Sequence, residues 1–590
     1  MASELTSGSR ILHHLVLPGL LGYVSSVNAL SDNPTPENFI RRALHQATVL
    51  GNYVYIDGGE ISQYENNKRG RMSDPVNSTL SIDISKSWSI DKVEIKTIEK
   101  PREIPVKSRA YLWTDAPRQE FYIWGGFWAY SYKKADLDYV PMAKFKADGN
   151  GGGTWALVEM ADQEMLTSLR PTEVGAPVQV NNTAFLMGGQ WSDLTDQRVP
   201  TGPSRAVPGL VTWDFTTGEI QNSTLPDFSP FGSETRVGAS AIYVPAFGPN
   251  GLVFLMGGHS PPIDRAYSIS DTRALPLSNL GFFDPITRES FTQTATGDAP
   301  RFPRRAFCIV GFETQGGYDV FLFGGDNAAG KVRYDDAYVL SLPAFHWIKL
   351  PSSNKGLRAY HACVRVGKRQ VLSIGGNFED GNWGEPDPAN RGLLLFDMTA
   401  LEWKNDYDAN AAPYERADAI KTLYENGSFS HNIQWSSEKV QQMFAVQNPP
   451  APSASEAPTG NKSSSTPAGT IAGGVVGGIA GLALVAIIAW LLFRRKRKQD
   501  SGSKSQLHQH ELGAFKELKE GGNMHMMPNN MNPHEMSTER PVGELPAYST
   551  KPPATPKPEE SYHQQQQQQQ QQNYVAPVEL DGGYAGPNSR

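Results

Sequence analysis

Histidine and cysteine are the side chains that could bind a metal or build a radical cofactor, and both are sparse in this 590-residue sequence. A copper radical site needs a cross-linked Cys–Tyr pair, a second tyrosine and two histidine ligands. The one adjacent pair, His13-His14, lies in an apolar N-terminal stretch, and the remaining histidines before the C-terminal apolar run are isolated: His45, His259, His346, His361 and His431. We therefore expect no metal ion and no cofactor.

Paired carboxylates could instead hydrolyse a glycosidic bond, provided that they face each other about 5–9.5 Å apart. Polar segments of the sequence hold suitable acids, but no spacing pairs any two of them, and acidic loop residues are usually only solvated. The acids are Asp193, Asp196, Asp264, Asp271, Asp380 and Asp387. We expect no catalytic residues, and a hydrolase that uses these carboxylates is the alternative.

Six apolar runs, each closed by a pair of glycines, organise the sequence between residues 38 and 406. A run of β-branched and aromatic residues is typical of a strand covered on both faces. Two glycines permit positive φ, so the chain can turn sharply beneath a neighbouring sheet. The pairs recur every 51 to 69 residues: Gly58-Gly59, Gly125-Gly126, Gly188-Gly189, Gly257-Gly258, Gly324-Gly325 and Gly375-Gly376.

Two further features repeat with the glycines. A later strand ends in a small polar residue, with a large apolar one five to seven places on, which predicts a tight turn and a ring packed between sheets. These pairs are Asp83/Trp88, Asp148/Trp155, Asp214/Ile220, Asp284/Phe291, Ser341/Trp347 and Asp397/Trp403. An earlier strand opens with arginine, as at Arg42 with His45, Arg236, Arg304, and Arg358 with His361. We expect these to bridge neighbouring sheets by hydrogen bonds, and ligand contact at a channel mouth is the alternative.

This pattern resembles the kelch repeat, whose signature is an apolar run, Gly-Gly and then spaced aromatic residues. The resemblance implies an all-β fold, a β-propeller over residues 38–447 with six four-stranded blades. Residues 407–447 would supply a closing strand, an outer wrap or a seventh blade. The repeats exceed the usual kelch length, so segments 60–78, 190–208 and 259–279 are expected to be extended loops.

The two cysteines, Cys308 and Cys363, exclude a disulfide-dense scaffold and a Cys-rich zinc module. They lie in the first strands of successive repeats, and we hypothesise a disulfide between them because the protein is expected to be secreted. Alignment of Arg304 with Arg358 offsets the cysteines by one position, which leaves two buried thiols as the alternative.

The two ends of the sequence predict export and membrane anchoring. Residues 1–29 have the basic, apolar and small-residue regions of a signal peptide. Residues 470–493 form an uncharged apolar run long enough to span a bilayer, and the basic residues from Arg494 to Lys498 place the following side in the cytoplasm. We therefore expect a single-pass type I protein of the plasma membrane or another endomembrane, similar in layout to the membrane-anchored kelch proteins of fungi.

The segments that flank the predicted span are of low complexity. Residues 448–469 predict a Pro/Ser/Thr-rich stalk, and residues 494–590, with poly-Gln at 564–572, predict a disordered tail. In the tail, Leu545, Pro546 and Tyr548 resemble a WW-domain ligand. Glycines at four-residue spacing in the span, Gly473, Gly477 and Gly481, suggest a homodimer contact. The sequons before the span suit glycosylation: Asn77, Asn181, Asn222, Asn426 and Asn461.

Taken together, these features favour recognition over catalysis. The formal net charge of −7 argues against a nucleic-acid partner. We expect a cell-surface propeller that binds an external protein or glycan through its loops and scaffolds or signals through its tail. A purely structural tether between wall and membrane is a further alternative.

Overall fold

The computed structural model describes one compact unit within Met1–Lys462, and its architecture is mostly β, as the sequence predicts. Among the residues that the structure describes, no helix has the length and apolar character needed to cross a bilayer. The predicted signal peptide, membrane span and tail, with the WW-ligand residues, lie outside the described residues. The described residues are 30–128, 142–196, 198–226, 235–263, 265–327, 332–354, 356–377, 383–425, 433–445 and 448.

Most strands belong to antiparallel sheets whose four main strands follow one another in chain order, here sheets 1 to 6. In each sheet the second strand is the apolar run that precedes a glycine pair. Sheet 1 holds β2 (Gln46–Leu50), β3 (Tyr53–Asp57), β6 (Ser78–Asp83) and β8 (Ile95–Glu99); sheet 2 holds β9 (Tyr111–Asp115), β10 (Glu120–Trp124), β11 (Ala143–Ala147) and β12 (Gly153–Leu157); sheet 3 holds β13 (Ala176–Val180), β14 (Thr183–Met187), β17 (Leu210–Asp214) and β18 (Ile220–Ser223).

The second half of the unit repeats the arrangement, and sheet 5 gains a short parallel strand, β25 (Thr296–Gly297), at its outer edge. Sheet 4 holds β19 (Ser240–Val244), β20 (Leu252–Met256), β23 (Asn279–Phe283) and β24 (Ser290–Thr294); sheet 5 holds β26 (Cys308–Thr314), β27 (Gly317–Phe323), β28 (Ala337–Leu342) and β29 (His346–Lys349); sheet 6 holds β30 (Ala362–Val366), β31 (Gln370–Ile374), β32 (Leu393–Asp397) and β33 (Glu402–Lys404).

The first strands of the sheets contact one another in a closed cycle. β2 contacts β9, and the contacts continue through β13, β19, β26 and β30 back to β2. The sheets therefore surround a common axis, with their first strands innermost and their fourth strands outermost.

Apolar side chains fill the space between each pair of neighbouring sheets. In β27, Val320 and Leu322 pack toward sheet 4, whereas Phe321 and Phe323 on the other face pack toward sheet 6. Alternate side chains point to opposite faces of a strand, so a strand between two neighbours must be apolar on both faces. This explains the uninterrupted apolar run before each glycine pair.

The aromatic residues that follow the third strands pack between sheets as predicted. The indole Nε1 of Trp347 in sheet 5 donates to the carbonyl oxygen of Leu277, at the edge of sheet 4, over 3.0 Å. Trp403 of sheet 6 donates in the same way to Pro351, also over 3.0 Å. Each ring thus fills an interface and satisfies its one polar atom there.

The three segments expected to be plain loops contain additional short strands. Residues 60–78 include β4 (Glu60–Glu65) and β5 (Lys68–Pro75), which form a small sheet with β1 (Phe39–Ala43). Segment 190–208 forms a hairpin of β15 (Gln190–Trp191) and β16 (Arg205–Ala206). Segment 259–279 pairs β21 (His259–Ser260) with β22 (Arg273–Ala274). The expectation of plain loops was wrong because these long connections pair their backbone N–H and C=O groups with one another, although their side chains are polar.

The end of the described chain closes the cycle and then passes back over its outside. β34 (Asp406–Tyr407) pairs with β7 (Trp88–Ser89), which joins sheet 6 to sheet 1. Among the described residues, the helix α1 (Gln163–Ser168) lies between sheets 2 and 3, whereas α2 (Asp418–Glu425) covers sheets 5 and 6, and α3 (Glu438–Ala445) covers sheets 4 and 5. Among the three alternatives for residues 407–447, the described residues form an outer wrap.

The glycine pairs are needed where neighbouring sheets meet. All twelve glycines have positive φ. A Cβ on the first glycine would collide with the next sheet, since at Gly125 it would lie 2.7 Å from the Thr172 carbonyl oxygen. A Cβ on the second would collide with the glycine's own sheet, since at Gly126 it would lie 2.5 Å from the Ser108 oxygen. Each position excludes a side chain for its own steric reason.

We predict that Gly126→Ala destabilises the fold far more than Gly149→Ala. The two glycines have nearly equal φ, +74° and +78°, but a Cβ at Gly149 would meet no atom within 4 Å. The control therefore loses only the left-handed backbone preference, ~1 kcal/mol, whereas Gly126→Ala should lose at least ~3 kcal/mol of unfolding free energy. Urea denaturation of both variants would measure the difference. Equal losses would contradict the steric explanation.

Candidate functional site

The strand order places the six connections between second and third strands on one end of the ring of sheets. Each sheet is antiparallel, so these connections emerge where its first strand begins. We call this end the loop face; it carries the described residues of segments 58–77, 125–142, 188–209, 257–278, 324–336 and 375–392. The opposite end, the turn face, carries the short links between first and second strands, such as 51–52, 181–182 and 315–316.

A ring of left-handed residues surrounds the axis at the loop face. Each residue lies two positions before the first strand of a sheet: Leu44, Arg109, Val174, Gly238, Ala306 and Tyr360, with φ between 51° and 71°. The Arg109 N–H donates to the Leu44 carbonyl oxygen (2.7 Å), and the Leu44 N–H donates to that of Tyr360 (3.0 Å). Tyr360 donates to Ala306, Ala306 to Gly238, and Gly238 to Val174. These bonds link successive sheets around the axis.

The axis itself is a channel with a volume of about 260 Å³. Its wall is formed by the ring and by the first residues of the inner strands, and much of it is apolar, for instance at Ala47, Ala239 and Ile309. Small side chains at these positions leave the space open. The channel is therefore a preformed concave site of the kind in which proteins place ligands.

Charged groups gather where the channel opens onto the loop face. Arg109 donates to Glu173 over 2.8 Å, and its guanidinium lies 4.3 Å from the centre of the Tyr360 ring. Arg305 pairs with the fully buried Asp326 over 2.9 Å. Burial raises the pKa of Asp326, while Arg305, Arg333 and Arg109 oppose the shift. Three guanidinium groups therefore lie among the carboxylates of Glu173, Asp326 and Glu60, which makes the mouth densely charged.

Half-buried aromatic rings extend this charged mouth across the loop face. Trp191 lies in β15, and the guanidinium groups of Arg170 and Arg205 approach its ring to 4.9 and 5.7 Å. The Tyr267 hydroxyl donates to the side-chain oxygen of Gln190. Aromatic faces beside guanidinium groups can stack on flat ligand groups and pair with anionic ones.

The cysteine pair and two histidines line the same channel. Cys308 and Cys363 are joined in a disulfide that links sheets 5 and 6, with a Cα–Cα distance of 5.6 Å. Their one-position offset does not separate them, because β26 and β30 belong to different sheets and the alternation within one ladder does not govern their approach. His45 and His361 also reach the wall. His259 and His346 lie elsewhere, and His431 is outside the described residues.

The predicted arginines bridge sheets through their backbone. The Gly325 N–H of sheet 5 donates to the Arg358 carbonyl oxygen over 2.7 Å, and the Gly258 N–H of sheet 4 donates to that of Arg304 over 2.8 Å. Their side chains stay within their own sheets: Arg358 pairs with Asp387 (2.6 Å), and Arg304 pairs with Asp336 (2.6 Å). The imidazoles of His45 and His361 lie against the backbone of the neighbouring sheet, at Ile374 and Phe323 respectively.

The acids considered for hydrolysis serve structural contacts where they are described. Asp196 pairs with Arg198 at 2.8 Å and with Arg170 at 3.2 Å, and Asp387 is held by Arg358. Asp271 accepts a hydrogen bond from the backbone of Ser268. Asp193 lies on the loop face, whereas Asp264 and Asp380 lie outside the described residues. Those described do not form a facing pair available to a sugar.

The left-handed ring and the meeting of His361 with the cysteines are not evident from the sequence. Leu44, Val174 and Tyr360 carry no local signal for positive φ, and only the alignment of all six repeats two positions before the inner strand reveals their equivalence. The predicted sequons are placed only in part: Asn77, Asn181 and Asn222 are exposed, and the other two fall outside the described residues.

Comparison with known proteins agrees with the repeat pattern. No family model matches the chain. A kelch repeat-containing protein of Arthroderma benhamiae is 22% identical over 459 residues, covering 68% of this chain. The match spans 64% of that protein's length. The similarity supports the kelch resemblance that the glycine pairs indicate.

We predict that acid destabilises the protein through the channel histidines. Burial is the main reason that the pKa values of His45 and His361 fall from 6.5 to about 3. Below pH 6.5 the two histidines bind protons in the unfolded chain but not in the folded chain. The free energy of unfolding is therefore highest above pH 6.5 and declines as the pH falls toward 3. The slope is about 1.4 kcal/mol per pH unit for each histidine.

His361→Asn should remove one histidine's share of this slope, and the measurement is urea denaturation at a series of pH values. His346→Asn is the matched control, because His346 is only half-buried and lies on an outer strand. An unchanged slope in His361→Asn would contradict the assignment.

Proposed function

We propose that this protein is a six-bladed kelch-type propeller, displayed outside a membrane, whose loop face binds an external protein or glycan. The observation that carries the proposal is the asymmetry between the two faces. The six connections between second and third strands, the channel mouth and the aromatic and cationic side chains share one face, while the links between first and second strands on the opposite face are only two to seven residues long. Binding sites in proteins commonly occupy loops that a rigid scaffold holds.

The closed cycle of inner strands supports the blade count. Sheets 1 to 6 each match one glycine pair, and the last contacts the first through β30 and β2. Residues after β34 form helices on the outside and leave no gap for a further blade between sheets 6 and 1. The kelch-type assignment rests on this arrangement and on the similarity to the Arthroderma protein.

The path of the described chain supports the choice of the loop face as the binding surface. Asn448, where the predicted stalk begins, bonds through its N–H to the Ala246 carbonyl oxygen (2.9 Å) and through its side chain to Pro245 and Gly248. These three residues lie in the link between β19 and β20, on the turn face. The described chain therefore ends on the turn face, which leaves the loop face free for a ligand.

The chemistry of the loop face favours recognition over the two alternatives. Rings such as Trp191 and Tyr267 suit the flat face of a sugar or an aromatic peptide group, and guanidinium groups suit carboxylates. A hydrolase would need a facing pair of available carboxylates, whereas Asp196 and Asp387 are engaged in ion pairs and Asp271 accepts a hydrogen bond from the Ser268 backbone. A passive tether would not need a charged, aromatic channel mouth.

We predict that loop-face substitutions weaken ligand binding, whereas turn-face substitutions do not. Trp191→Ala with Arg205→Ala should reduce the affinity for the selected ligand by roughly tenfold or more, because truncated aromatic and arginine anchors dominate binding losses. Arg118→Ala with Lys368→Ala removes two exposed cations from the turn face and should leave the affinity within roughly twofold. The ligand would be selected with the full chain in detergent, on wall glycans and on surface proteins.

Two outcomes would overturn the proposal. If the turn-face pair alone abolishes binding, the recognition surface is on the wrong end. If the full chain selects no ligand from either set, the tether alternative replaces recognition. Thermal unfolding of each variant would show whether any loss reflects the fold.

We also predict glycans on the exposed sequons when the chain is expressed in a eukaryotic secretory pathway. Asn77→Gln and Asn222→Gln should each increase gel mobility by about one N-glycan, because both side chains are exposed on the described surface. Enzymatic deglycosylation of wild-type protein should produce a larger shift. Absence of any shift would contradict an outward-facing propeller.

A further inference from the structure

The channel wall brings together three groups that can ligate a metal. One ligand atom each from Cys308, Cys363 and His361 lies within 4.8 Å of the other two. Cys308 begins β26 in sheet 5, and the other two residues belong to the start of sheet 6. In the structure the two sulfurs are bonded to each other, so both ligand positions are occupied by the disulfide.

His361 points to a role for this cluster beyond a covalent link. Its side chain is 8% exposed, and apart from the Phe323 carbonyl oxygen of sheet 5 its ring nitrogens have no hydrogen-bond partner among the described residues. Leaving a buried polar atom unsatisfied costs about 1–3 kcal/mol, so such a position calls for an explanation. A neutral imidazole keeps one unprotonated ring nitrogen, which is the atom that binds a metal ion.

Reduction would release the two sulfurs for coordination. A dithiol reductant cleaves the disulfide by thiol exchange, supplies two electrons and two protons, and leaves as its own cyclic disulfide. A divalent ion then displaces the two protons and binds two thiolates and one imidazole nitrogen. Zinc prefers these ligands, at about 2.3 Å for sulfur and 2.0–2.1 Å for nitrogen. The open channel gives the partly exposed Cys363 room to move and leaves a fourth position for water.

We propose that the reduced protein binds one thiophilic divalent cation through Cys308, Cys363 and His361. Sheets 5 and 6 would then be joined at the channel wall either by a disulfide or by a metal, according to the redox state. This site is independent of the loop-face ligand.

The test uses cobalt as an optical reporter of thiolate ligation. The full chain in detergent, produced and purified under a dithiol and then freed of it without oxygen, is titrated with Co²⁺. We expect one ion per chain with a thiolate-to-cobalt charge-transfer band, which Zn²⁺ abolishes by displacement. The chain has only two cysteines, so this band reports on Cys308 and Cys363 even though tail histidines are present.

Variants assign the ligands. Cys363→Ser should abolish the band, and His361→Asn should weaken Co²⁺ binding by at least about tenfold, or 1.4 kcal/mol. His346→Asn, which alters a histidine bonded to Thr296 away from the channel, should bind like wild type. The oxidised protein should give no band.

Absence of the band in reduced wild-type protein, or an unchanged affinity in His361→Asn, would overturn the proposal. If circular dichroism shows that Cys363→Ser does not fold, the proposal is tested on wild-type protein instead. Stoichiometric Zn²⁺ must then protect both thiols of the reduced chain from alkylation, and unprotected thiols would equally reject the site.

Discussion

One repeated hydrogen bond holds the sheets around the axis. In every repeat the second glycine of the pair donates its N–H to a backbone carbonyl oxygen of the next sheet, over 2.7–3.0 Å, and the last of these bonds runs from Gly376 to Arg42 and closes the cycle. The donor can approach only because neither glycine carries a Cβ. Apolar interfaces supply most of the favourable energy of burial, and these bonds fix how each sheet meets its neighbour.

The same constraint creates the candidate site. Because each inner strand must begin beside a glycine pair, the residues before it are forced into a left-handed turn, and six such turns form the ring at the loop face. The turns hold side chains as different as Arg109 and Tyr360 at equivalent places, so the mouth can vary in chemistry while its backbone stays constant. The residues proposed to bind a ligand therefore lie directly beside the hydrogen bonds that close the cycle of sheets.

The repeated elements of the fold could be predicted from sequence because their signals are steric and periodic. Glycine pairs, two-faced apolar runs and the Trp347 spacing each have a local cause. The left-handed turn at Val174 has none, since a β-branched residue disfavours positive φ and only the closed cycle imposes it. Likewise, the pairing of Cys308 with Cys363 depends on the angle between sheets 5 and 6, which cannot be deduced from the sequence of a single repeat.

The route of the chain after sheet 6 has a mechanical consequence. The first and last sheets of the cycle meet between sheets 6 and 1, but the described chain ends on the far side of the ring. Just before α2, Tyr414 and Arg416 bind the buried Asp319. Helix α3 then packs on Phe247. A force applied to the chain beyond Asn448 would therefore act first on sheets 4 and 5. The contacts of α2 and α3 would have to break before the force reached the pairing of β34 with β7 between sheets 6 and 1.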